Sequence, residues 1–134
     1  MKSLVIGYQC LVAGLAFVLF QDNTLKASMA RGEELYTDFC VTCHMPNGEG
    51  VESTFPPLAK SDYLMANREA SIRGVKYGQR GEMVVNGVTY DNTMMPLGLD
   101  DEEIADVMNY VYNSWGNKSE KMVTVEEVAS IDRR

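Results

Sequence analysis

The sequence predicts one small, mainly helical domain, and three observations carry that prediction. Its 134 residues, 46% of them apolar, suit a single core. Helical spacing of apolar residues recurs before Cys40, after Asn67 and after Asp100. Only one short stretch, Met83 to Tyr90, has strand character.

Lys2 followed by Leu4-Val5-Ile6 and by the apolar run Leu11 to Phe20 reads as a targeting segment. Tyr8 and Gln9 interrupt it, and the unbroken part is short for a membrane span. Residues 1–27 are therefore expected to be a signal peptide, with an N-terminal membrane anchor through residues 4–20 as the alternative. The main domain is expected over residues 28–117. Ala27 to about Val41 reads as its first helix, with Leu35 and Phe39 on one row and Gly32 and Tyr36 on the next. Asn47 to Gly50 breaks that helix, and Phe55-Pro56-Pro57-Leu58 is an extended loop, because proline restricts its predecessor. Ser61 to Met65 forms at most a short helical turn. Asn67 is placed to cap a helix over Arg68 to Tyr77, which Gly78 to Gly81 ends.

Asn86-Gly87 marks the turn of a hairpin between Met83 and Tyr90. A loop from Asp91 to Leu99 follows and holds Met94, Met95 and Pro96. In the last helix Asp100 is the cap and Glu103 completes a carboxylate capping box. Ile104, Val107, Met108, Val111 and Trp115 line one face, and Gly116 is the stop. Residues 118–134 read as a polar tail in which Val123, Val125 and Val128 add an amphipathic turn. The sequence holds no internal repeat and no sign of a second domain.

Cys40-Val41-Thr42-Cys43-His44 carries the chemistry. Two thiols and an imidazole at this spacing form the attachment motif of a c-type haem. Cys40 and Cys43 can each bond a haem vinyl group, and His44 can ligate iron from one axial side. A structural zinc site needs four ligands. The chain has three cysteines and one histidine, so such a site would have to recruit Cys10 from the apolar N-terminal run. A thiol-exchange role is also weak, because no buried strand precedes Cys40.

His44 is the only histidine, so a sixth iron ligand must be another residue type. Methionine, a soft thioether, suits that place. Most of the nine methionines read as core fillers, Met108 among them. Met94 and Met95 lie instead in a loop, free to approach a haem face. Met95 is preferred because Pro96 would stiffen its backbone.

Gly32-x-x-x-Tyr36, the Cys40 to His44 motif, a proline loop, Met95-Pro96 and the ending Tyr110-Val111-Tyr112-Asn113-Ser114-Trp115-Gly116-Asn117 resemble class I cytochrome c. Val85 to Tyr90 and Asp101-Glu102-Glu103-Ile104 are similar to its bacterial branch. The resemblance runs from about Arg31 to Asn117. It implies an all-α fold whose first and last helices cross around a covalently bound haem, with a short hairpin or loop before the axial methionine. It implies that Gly32 permits the close approach and that Tyr36 meets Val107 and Tyr110. It also implies that a proline carbonyl accepts the Nδ1 hydrogen bond of His44, with Pro56 the better match and Pro57 the alternative. The second methionine at position 94 and the acidic composition depart from the family pattern.

The net charge of −7 argues against nucleic acid as a partner. Lys60, Arg68, Arg73, Lys76 and Arg80 make the middle of the chain locally basic, which ordinarily reflects solvated surface. The function expected is that of a monomeric monohaem electron carrier in the periplasm, not an enzyme. Its haem c iron would be held by His44 and Met95. Its partners would be a dehydrogenase, a reductase or a terminal oxidase. The alternatives are a membrane-anchored haem subunit of a larger oxidoreductase or oxidase, and a haem enzyme or gas sensor with a labile sixth ligand.

Overall fold

The structure is a computed structural model that describes residues 24–133. Most of the segment read as a signal or anchor thus lies outside the described residues. Among those described, no helix is long and apolar enough to cross a membrane. The chain folds as a helical shell with one two-stranded ribbon, as expected. Helix α1 covers 24–39 and α2 is the single turn Val41–His44. The short α3, Asp62–Ala66, leads into α4, Arg68–Tyr77. Strands β1, Met83–Val85, and β2, Val88–Tyr90, pair antiparallel. Helices α5, Asp101–Tyr112, and α6, Val125–Ala129, complete the order.

The crossing of α1 and α5 organises the core. Ser28, Gly32 and Tyr36 are the buried row of α1. A Cβ on Gly32 would lie 2.1 Å from the carbonyl oxygen of Asp106, so any side chain there would force the helices apart. Tyr36 packs its ring 5.6 Å from that of Tyr110 and 4.9 Å from that of Trp115. Phe39, expected on the apolar row with Leu35, is 46% exposed, because the contact with α5 selects the neighbouring row.

Helix α5 begins as the sequence predicts. Asp100 accepts from the backbone N–H groups of Glu102 and Glu103, and the Glu103 side chain accepts from Asp100 N. Such a cap is worth about 1 kcal/mol. Burying Ile104, Val107, Met108 and Val111 is worth roughly 1.5–3 kcal/mol each, so packing holds the helix and the cap sets its start. The helix ends at Tyr112, short of Gly116. Trp115 takes a left-handed backbone (φ 52°) there, and its ring lies against Gly48.

Two further expectations change. Asn67 starts α4 by position, but its side chain donates backward to the carbonyl of Tyr63 instead of capping. The segment read as a polar tail carries core residues: Val123, Val128 and Ile131 are buried against α4 and α5. A polar network fixes its start. Asn109 exchanges hydrogen bonds with the backbone of Val123 (2.7 and 2.9 Å) and donates to Ser28 Oγ. Ser28 in turn donates to Asp106, which also accepts two bonds from Arg31.

Candidate functional site

The helical ladder runs almost unbroken through the cysteines. Cys40 N donates to Tyr36 O and His44 N to Cys40 O, each at 2.9 Å. The spacings i, i+3 and i+4 on this turn put Cys40, Cys43 and His44 on one side. Neither Cys40 nor Cys43 is in a disulfide, and both are half-buried.

His44 Nδ1 lies 2.9 Å from the carbonyl oxygen of Pro56. A carbonyl only accepts, so the proton is on Nδ1 and the lone pair on Nε2. Among the described residues nothing hydrogen-bonds Nε2. Burial pushes the imidazole pKa down and favours the neutral ring, while the Pro56 hydrogen bond pulls it up and raises the basicity of Nε2.

Pro56 is held in place by a tightly knitted loop. Gly48 O accepts from the N–H groups of Leu58 (2.7 Å) and Ala59 (2.8 Å). Gly50 N donates to His44 O, and Val51 and Phe55 exchange two bonds of 2.8 Å. Gly50 has φ 64°, and a Cβ there would lie 2.3 Å from Phe55 O and 2.8 Å from Pro56 O. Only glycine lets the two backbones cross. Tyr36 Oη donates to Met45 O at 2.7 Å, tying the same loop to α1. From the other end Asn117 donates to Leu58 O (2.8 Å) and Val111 O (2.9 Å) and accepts from Lys60 N (2.8 Å). The sequence reading gives Asn117 and Gly50 no part in the site, only a place at the end of the family resemblance and in the break after the first helix. Their only signals are an amide just after a helix stop and a glycine before a proline pair.

The methionine loop is built differently. Gly78, at φ 86°, lets the chain pass beside Met94 O and Pro96, and Gln79 and Met94 exchange two backbone bonds of 2.9 Å. Met94 is half-buried, whereas Met95 is 58% exposed. Asn92 donates to Thr54 O at 3.0 Å and so links this loop to the one carrying Pro56.

The donor set discriminates between chemistries. Burial pushes the Cys40 thiol up to about 11, the reverse of the lowered pKa that a thiol-exchange cysteine needs. No group of three or more histidine, cysteine or acidic side chains among the described residues could hold a metal ion. What remains is two thiols, an imidazole with a free Nε2 and an unengaged thioether. These are the groups that a covalent haem requires.

Comparison with known proteins agrees. The family described as cytochrome c matches residues 29–115. A cytochrome c-552 of Thermus thermophilus is 36% identical over 126 residues, with 87% of this chain and 83% of that protein covered. The cytochrome c subunit of a quinone alcohol dehydrogenase from Gluconacetobacter polyoxogenes is 31% identical over 75% of this chain but only 22% of its own length. The cbb3-type cytochrome c oxidase subunit FixP of Bradyrhizobium diazoefficiens is 28% identical over 81% of this chain and 38% of its own. The chain belongs to the class I cytochrome c family: it carries a covalently bound haem c with its iron and serves electron transfer.

Proposed function

We propose that this cytochrome c is an exported, free-standing carrier of single electrons in the periplasm, its iron ligated by His44 and Met95. The observation that carries the reading is the Pro56-held imidazole of His44, which leaves Nε2 as the unprotonated ring nitrogen available to iron. When bound, the haem supplies the one-electron ferric–ferrous couple. Cys40 and Cys43 hold it covalently, and the Pro56 carbonyl keeps the His44 ring oriented and raises its basicity.

Met95 supplies the sixth ligand. Its side chain is 58% exposed and so is not committed to the core, and Pro96 stiffens its backbone. Met94 joins Gln79 through backbone bonds only, and adjacent residues of an extended chain point to opposite sides, so the two methionines face different ways. If His44 and Met95 both held the iron, no place on it would be left for substrate, and the protein would transfer electrons without acting as an enzyme.

The carrier reading follows the likeness to the cytochrome c-552 of Thermus thermophilus, 36% identical over 126 residues. The carrier's partners are a dehydrogenase or reductase on one side and a terminal oxidase on the other. The subunit reading remains the rival, and the N-terminus of the exported protein decides between them. A start near Ala27 or Ser28 supports the carrier, and a retained Leu4 to Phe20 segment supports an anchored subunit. Carbon monoxide tests six-coordination. The ferrous protein should resist it, and rapid binding would favour a sensor or enzyme.

A further inference from the structure

The segment after α5 does more than fill the core. It runs along α4, and four α4 side chains grip it. Arg68 forks onto the Glu127 carboxylate (2.6 and 2.8 Å) and also donates to the carbonyls of Lys121 and Met122. Arg73 donates to Asp132 O at 2.9 Å and Tyr77 to Ile131 O at 3.0 Å. Lys76 donates to Val128 O at 2.7 Å and pairs with Asp101 at 3.0 Å.

Lys76 is thus a three-way junction. Its ammonium joins the C-terminal segment, the last turn of α4 and the first residue of α5. Its side chain is only 15% exposed, so solvent screens these contacts weakly. The whole excursion that holds the hairpin and the methionine loop leaves from Gly78 and returns at Asp100. Its two ends are therefore tied together through Lys76. Immediately beyond Lys76 and Tyr77, Gly78 touches the backbone of Met94 and Pro96, and Gln79 pairs with Met94. One residue, Gly78, separates the gripped helix from the Gln79–Met94 bridge that precedes Met95.

We propose that residues 121–132 form a strap that positions Met95 against the haem iron through α4, with Lys76 as the positioning residue. The inference rests on Met95 being the sixth ligand. A loosened strap frees the end of α4, lets the Gln79–Met94 pairing shift and shortens the time that sulfur stays on iron.

The test uses the haem-loaded full chain in the ferric state, where added imidazole binds only after the methionine leaves. Lys76→Met and Glu127→Gln should each speed imidazole binding about tenfold, the scale of coupling carried by a packed network. Lys76→Arg, which keeps charge and donors, should restore the slow rate. Ser61→Ala removes the α3 cap, distant in sequence from the strap, and serves as a variant of matched thermal destabilisation. It should leave the rate unchanged. If both strap variants lower the melting temperature but bind imidazole at the wild-type rate, the strap is purely structural and the proposal is overturned. If Met95→Ala itself leaves imidazole binding slow, the ligand assignment fails and the proposal falls with it. Should Lys76→Met not fold, Glu127→Gln alone decides, because it weakens the grip of Arg68 on the strap while leaving every α4 side chain in place.

Discussion

The two faces of the haem site are built on opposite plans. On the histidine side, the ligand follows the attachment cysteines directly. Its orienting carbonyl lies twelve residues on, in a loop closed by its own backbone bonds. On the methionine side, the proposed ligand lies in an exposed loop that leaves from the end of α4 and returns at the cap of α5, and α4 is in turn bonded to residues beyond position 120. The first face is closed largely by short-range backbone bonds, with Asn117 tying its loop from beyond α5, and the second is held mainly from a distance. The histidine side should therefore fail all at once and the methionine side by degrees.

The contrast can be broken most severely at His44. His44→Ala removes the proximal ligand and the group that Pro56 orients, and haem content of the purified protein should collapse. Gly50→Ala should come next. It places a Cβ 2.3 Å from Phe55 O at a left-handed position and should cost about 3 kcal/mol in a thermal melt. Because Pro56 O is only 2.8 Å from that Cβ, the histidine face should be disturbed as well. Asp100→Ala, on the methionine side, should cost about 1 kcal/mol with haem retained. An unchanged melt would deny the cap its role.

The smallest effect is set by pH. The Arg68 guanidinium holds the Glu127 carboxyl below its ordinary value. A carboxyl lowered in the fold contributes stability above its ordinary range and loses it as pH falls through the lowered value. Wild type should therefore lose melting temperature on acidification more steeply than Glu127→Gln, which starts lower at neutral pH and runs flatter.

The same contrast explains what the sequence discloses. The cysteine–histidine motif, the hairpin turn at Asn86-Gly87 and the capping box of α5 are short-range devices, and each is legible from neighbouring residues. Phe39, Asn67 and the segment after Asn117 are not. Which row of α1 is buried depends on where Gly32 meets Asp106. Whether Asn67 caps depends on a competing carbonyl at Tyr63. Val123 and Ile131 become core only because α4 and α5 form a trough for them, which no local period encodes. Within the site, the donors are visible as letters, while Asn117, Gly50 and Lys76 act through tertiary contacts.

The account stands most directly on the sulfur-to-iron charge-transfer band of the ferric protein, at the red edge of the visible spectrum. Axial ligation by Met95 predicts that the band is present in wild type and in Met94→Ala and absent in Met95→Ala, with haem still attached in all three. A band that survives Met95→Ala, or disappears in Met94→Ala, would contradict it.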